Sequence, residues 1–92
     1  MAYEYEFIID KKRFDKRLLT ELQHKIRVPF KSYTITEFHL NPEDNSFTFK
    51  RTVQKTISGR RMVMPDNKLY KGKYVKQDHT DEAYKIIITF ND

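Results

Sequence analysis

From Tyr3 to Ile9 the chain alternates, with Tyr3, Tyr5, Phe7 and Ile9 on one side and Glu4 and Glu6 on the other. That period of two predicts a half-buried strand. Asp10 then suits the N-cap of a helix running to about Arg27, where Val28 and Pro29 end it. On a helical wheel Phe14, Leu18, Leu19, Leu22 and Ile26 form one apolar stripe, and Arg13, Lys16, Arg17, Thr20 and His24 lie opposite. One face of the helix is therefore expected on a sheet and the other in water. Glu21 and Lys25 form an i,i+4 pair, while Lys11, Lys12 and Arg13 crowd a first turn where the helix dipole disfavours cations.

Ser32 to Leu40, rich in Thr, Tyr, Ile and Phe, predicts a second strand; Asn41 to Asn45 supplies a polar turn, and a third strand starts at Phe47. Ser58-Gly59 separates RTVQKTI from RRMVM, the signature of a second, two-residue hairpin with Lys55, Arg60 and Arg61 at its tip. A further short strand at Arg61 to Met64 fits the same pattern. Leu69 to Lys76 sets Tyr70, Gly72 and Tyr74 against Lys71 and Lys73, which predicts a strand with one aromatic and one cationic face. After QDHTDE, the run YKIIITF carries consecutive Ile86, Ile87 and Ile88, expected in a central strand covered on both faces.

The order β-α-β-β-β-β predicts an α+β fold, one helix across a curved antiparallel sheet, as a single domain spanning residues 1–92. This order resembles the cystatin-like architecture. The resemblance is one of topology: Gln54 to Gly59 is one residue longer than the Gln-x-Val-x-Gly inhibitory loop of that family, and its Trp is absent. Protease inhibition is therefore not carried over.

Composition adds that the core is aromatic, with seven Phe and six Tyr against no Trp. The absence of cysteine excludes a disulfide framework, a thiolate zinc site and a cysteine nucleophile. No apolar run approaches the roughly 18 to 20 residues of a membrane span, and acids occupy the N-terminus where a secretory signal carries cations. No membrane association and a cytoplasmic location are expected.

Charge changes the picture most. Met1 to Ser46 holds eight Lys/Arg and eight Asp/Glu, so the whole net charge of +5 sits in the second half. Between Lys50 and Lys76, nine cations (Lys50, Arg51, Lys55, Arg60, Arg61, Lys68, Lys71, Lys73 and Lys76) face one acid, Asp66. Such a segment points to a polyanionic partner or to a solvated face. A two-stranded ribbon can enter a DNA groove, its cations can neutralise phosphates, and rings such as Tyr70 and Tyr74 can stack on unpaired bases. The same cations can equally shield sheet edges, with both tyrosines in the core.

Asp78, His79, Asp81 and Glu82 are the candidates for metal binding or acid-base chemistry, though their spacing fits no metal motif and such residues are common in turns. His24 and His39 read as surface positions. Two glycines leave no phosphate-cradling loop, so no cofactor is expected. Pro65-Asp66 is similar to the opening of a metal-dependent nuclease motif, yet no acid-x-Lys triplet comes after it. The sequence thus predicts a non-catalytic nucleic-acid-binding module. The alternatives are an accessory or inhibitory module of the phage or mobile-element kind that docks on an acidic protein, and an enzyme using the Asp78 to Glu82 loop. A sheet edge or the basic helix face could also mediate a homodimer.

Overall fold

Strand β1 (Ala2–Asp10) forms where the alternation predicts it, and buries Phe7 and Ile9. The computed structural model describes residues 2–91. Asp10 does act as a cap, but its carboxylate accepts from the amide of Lys12 at 2.9 Å, and the turn it starts is a short 3-10 helix over Lys11–Arg13. Helix α1 (Phe14–Arg27) begins only after it, so Asp15 rather than the three cations lies in its first turn. The expected dipole conflict is relieved further by Lys11, whose Nζ reaches Asp78 at 3.1 Å.

Leu18, Leu22 and Ile26 are buried on α1, whereas Leu19 is 39% exposed. A single helix lying on a sheet covers only the narrow i,i+4 line, so the stripe is thinner than the wheel suggests. The helical ion pair is Arg17–Glu21 at 3.8 Å, in place of the expected Glu21 and Lys25. Val28 and Pro29 do not stop the chain's winding; they open a second 3-10 turn, Val28–Phe30, where proline's missing N–H costs nothing. Phe30 is thereby driven into the core, near the rings of Tyr3, Phe49, Tyr70 and Phe90.

This extra turn delays the next strand, β2 (Ile35–Asn41), which pairs with β3 (Ser46–Ile57) as a hairpin. A bulge sets Glu37 and Phe38 together opposite Phe49; Glu37 takes φ 50° and Phe38 turns inward to stack on Phe47 and Phe49. Next come β4 (Arg60–Pro65), β5 (Tyr70–Asp78) and β6 (Ala83–Asn91). All pairings are antiparallel, in the order β1-β6-β5-β3-β2, with β4 on β3.

β6 is an interior strand, as expected, flanked by β1 and β5. It is not buried on both faces: Ile86, Ile88 and Phe90 point into the core, while Ile87 is half-buried and Thr89 exposed. One helix can cover only one face of the sheet, and the other remains open. On β5 the expected division holds, with Tyr70, Gly72 and Tyr74 inward and Lys71 and Lys73 outward.

Candidate functional site

Strand β3 is longer than the body of the sheet. Ser46 to Phe49 pair with β5, whereas Thr52 to Ile57 pair with β4. Both partners use the same edge of β3 in succession, because the Arg51 carbonyl accepts from Asp66 N on that edge while Thr52 N donates to Thr34 on the opposite one. β4 therefore never joins the body, and the β3–β4 ribbon projects as an arm of about 20 Å at 3.3 Å per residue. The molecule measures 56 × 23 × 20 Å, and its radius of gyration of 15.1 Å exceeds the ~12 Å of a compact chain of this length.

The arm turns at Ser58 and Gly59, both with positive φ (52° and 79°), as a two-residue hairpin of the favoured twist requires. Paired residues share a face, and successive pairs alternate. One face carries Val53 with Met64, Lys55 with Met62, and Ile57 with Arg60; the other carries Thr52 with Pro65, Gln54 with Val63, and Thr56 with Arg61. Lys55, Arg60 and Arg61 are exposed near the tip as expected, but Arg61 faces away from the other two. Ile57, Met62 and Val63 are also exposed, Val63 by 66%. Their exposure was not expected from the sequence, although the face that Phe47 and Phe49 begin continues on β3 through Arg51, Val53 and Lys55, and those charges are a sign that no core continues into the arm.

Where the arm leaves the sheet, Arg51 is locked in place. Its Nε donates to Asp66 Oδ2 at 2.8 Å, and its guanidinium carbon lies 4.4 Å from the ring centres of both Phe30 and Tyr33. Tyr70 Oη donates to the same carboxylate oxygen at 3.0 Å, and the Lys68 amide donates to Oδ1. Burial by itself pushes the Asp66 carboxyl up, but these hydrogen bonds and the Arg51 charge outweigh it and hold the carboxyl below its ordinary value. Arg51, for the same reasons, keeps its proton more firmly than usual despite burial.

Several candidate contacts are corrected by this arrangement. Arg51 is not offered to a ligand, because Asp66 and three rings occupy it. Tyr70 and Tyr74 are buried, so neither ring can receive a base; burial raises both phenols, aided by hydrogen bonding to Asp66 at Tyr70 and by the Asp44 charge at Tyr74. Lys76 lies at the far end of β5 from the arm, over the rings of Phe14 and Tyr84. Lys68 sits over Tyr70, and Lys50 pairs with Glu37 at 3.3 Å.

Lys71 and Lys73 project from the open face of β5, opposite Thr48 and Ser46 of β3. Small side chains in two cross-strand rows, including Ala2, Ser46, Thr48 and Thr89, leave a shallow depression of about 770 Å³ beside these lysines. Glu4 and Asp44 also line it, so its charge is mixed. Among the described residues, Lys55, Arg60, Arg61, Lys71 and Lys73 make no ion pair. They are open to an anionic partner, as are Lys12, Arg13, Lys16, Arg27 and Lys31 beside and along α1, which are exposed and likewise in no ion pair among the described residues.

The Asp78 to Glu82 segment is an exposed turn between β5 and β6, closed by His79 and Thr80 amides donating to the Ala83 carbonyl. Asp78 is engaged by Lys11, and among the described residues no group of three or more His, Asp or Glu is arranged to hold a metal ion. No protein-family model, no curated protein and no solved structure matches the chain. The likeness to the cystatin-like architecture thus rests on element order alone. Among the described residues no helix is long and apolar enough to cross a membrane.

Proposed function

We propose that this protein is a non-catalytic module that binds nucleic acid through its projecting arm, with Lys71 and Lys73 as supporting contacts. One observation carries the reading: from Gln54 to Met64 the arm holds Lys55, Arg60 and Arg61 without a single acid, and none of the three is in an ion pair among the described residues. Exposed, unneutralised cations on a narrow projection meet phosphates without large desolvation. Such contacts carry little base information, so recognition is weakly sequence-dependent. The reading brings with it a cytoplasmic location.

A second reading, docking on an acidic protein in the manner of a mobile-element accessory module, is favoured by the exposed Ile57, Met62 and Val63. Fluorescence anisotropy with labelled oligonucleotides separates the two. Roughly five phosphate contacts give a log-log salt slope of about −4.5 on duplex DNA. Changing Arg60→Glu together with Arg61→Glu should weaken binding to all sequences alike and leave the circular dichroism spectrum intact. No saturable binding at low salt removes the nucleic-acid reading and leaves the protein-docking one.

A further inference from the structure

The distribution of cations and rings narrows the ligand. Every Phe and Tyr of the chain is either buried or packed against the core. Proteins that hold single strands present rings on which successive bases stack, and the arm, from Thr52 to Pro65, carries no aromatic residue. A partner held by the arm therefore brings bases already stacked on one another.

The arm's charges narrow it again. Lys55 and Arg60 project from one face of the ribbon and Arg61 from the other. Contact with a flat surface or one extended strand engages a single face, leaving the opposite charge in water. A slot with a phosphate wall on each side engages both. The major groove of B-form DNA is such a slot: about 12 Å wide and 8.5 Å deep, it admits a two-stranded ribbon, whose strands lie about 4.8 Å apart. An arm of about 20 Å is long enough to reach its floor. The major groove of A-form RNA is too narrow to be entered in this way.

Resting on the nucleic-acid reading above, we infer that the ligand is B-form duplex DNA, entered tip-first through the major groove. Lys55 and Arg60 face one phosphate wall, Arg61 faces the other, and the Ser58-Gly59 turn meets the base edges. Ile57 and Met62 then lie where thymine methyl groups and sugars are encountered. A tip of two small residues offers few groups for base reading, which agrees with low specificity.

The test uses the full chain and competition anisotropy at one salt concentration, with a DNA duplex, its separated strands and an RNA duplex of the same sequence as competitors. The DNA duplex should compete at least tenfold better than either of the others, and a minor-groove ligand such as distamycin should leave binding unchanged. Lys55→Ala with Arg60→Ala, and separately Arg61→Ala, should each weaken duplex binding several-fold, with unchanged circular dichroism. Equal or tighter binding to single strands or to RNA overturns the inference while the nucleic-acid reading stands. Sensitivity confined to one face of the arm, or displacement by distamycin, overturns it likewise. No binding to any of the three removes both.

Discussion

Arg51 Nε donates to Asp66 Oδ2 at 2.8 Å, and this pair joins β3 to the end of β4 at the point where the arm leaves the sheet. Their side chains are 17% and 14% exposed, with Tyr70 and Lys68 completing the carboxylate's hydrogen bonds. A ribbon with no core beneath it needs its orientation set at the base. The pair, together with the rings of Phe30 and Tyr33 flanking the guanidinium, supplies that.

Removing one partner from a pair this enclosed leaves the other charged and poorly solvated. Asp66→Ala is expected to destabilise the protein by about 3 kcal/mol. Lys50→Thr, which removes the more exposed pair with Glu37, should cost no more than about 0.5 kcal/mol. Urea denaturation of both variants measures the contrast; equal effects would mean that the clamp contributes nothing beyond a surface ion pair.

The Asp66 carboxyl is held below its ordinary value against burial by the hydrogen bond from Arg51 and those from Lys68 and Tyr70. Its contribution to stability is therefore complete above about pH 4 and is lost as pH falls through that value towards the lower folded one. Tyr70 and Tyr74 are raised, chiefly by burial, so theirs is complete below about pH 10 and is lost as pH rises through the folded values. Urea midpoints across pH should fall on both sides of a plateau. Asp66→Asn should flatten the acid side, and Tyr74→Phe should soften the alkaline one.

Gly72 of β5 lies under the Phe47 ring, and an added Cβ would meet that ring and come 2.7 Å from the Thr89 carbonyl. Gly72→Ala forces backbone apart in the middle of the sheet and should cost about 3 kcal/mol or more. Gly59→Ala should cost only about 1 kcal/mol, since nothing lies within 4 Å of its Cβ and only the φ of +79° is strained. Thermal unfolding of the two variants orders the effects.

Asp78→Ala combined with His79→Ala should change stability by about 0.5 kcal/mol or less, because Asp78 is 81% exposed despite its contact with Lys11. Oligonucleotide binding should not change either. Calorimetric titration with zinc or manganese checks the alternative: stoichiometric uptake abolished by the double change would restore the turn as a candidate active site.

Local chemistry was enough to determine most elements of this protein. Alternation of apolar and polar residues specified β1 and β5, the i,i+4 spacing of Leu18, Leu22 and Ile26 specified α1, and Ser58-Gly59 specified the arm's turn, because each of these depends on residues adjacent in the chain. Which cations are available was decided only by the tertiary structure. Arg51 and Arg60 look alike in sequence, yet one is held by Asp66, fifteen positions away, and the other stands free on the arm. Tyr70 and Tyr74 alternate with lysines as a stacking surface would, and only the cluster assembled on that side of the sheet, with Phe30 and Phe49 against the Tyr70 ring, commits them to the core. The arm arises in the same way: β3 outruns the apolar face that α1 can cover, and the strand length beyond that limit is set by packing between distant segments.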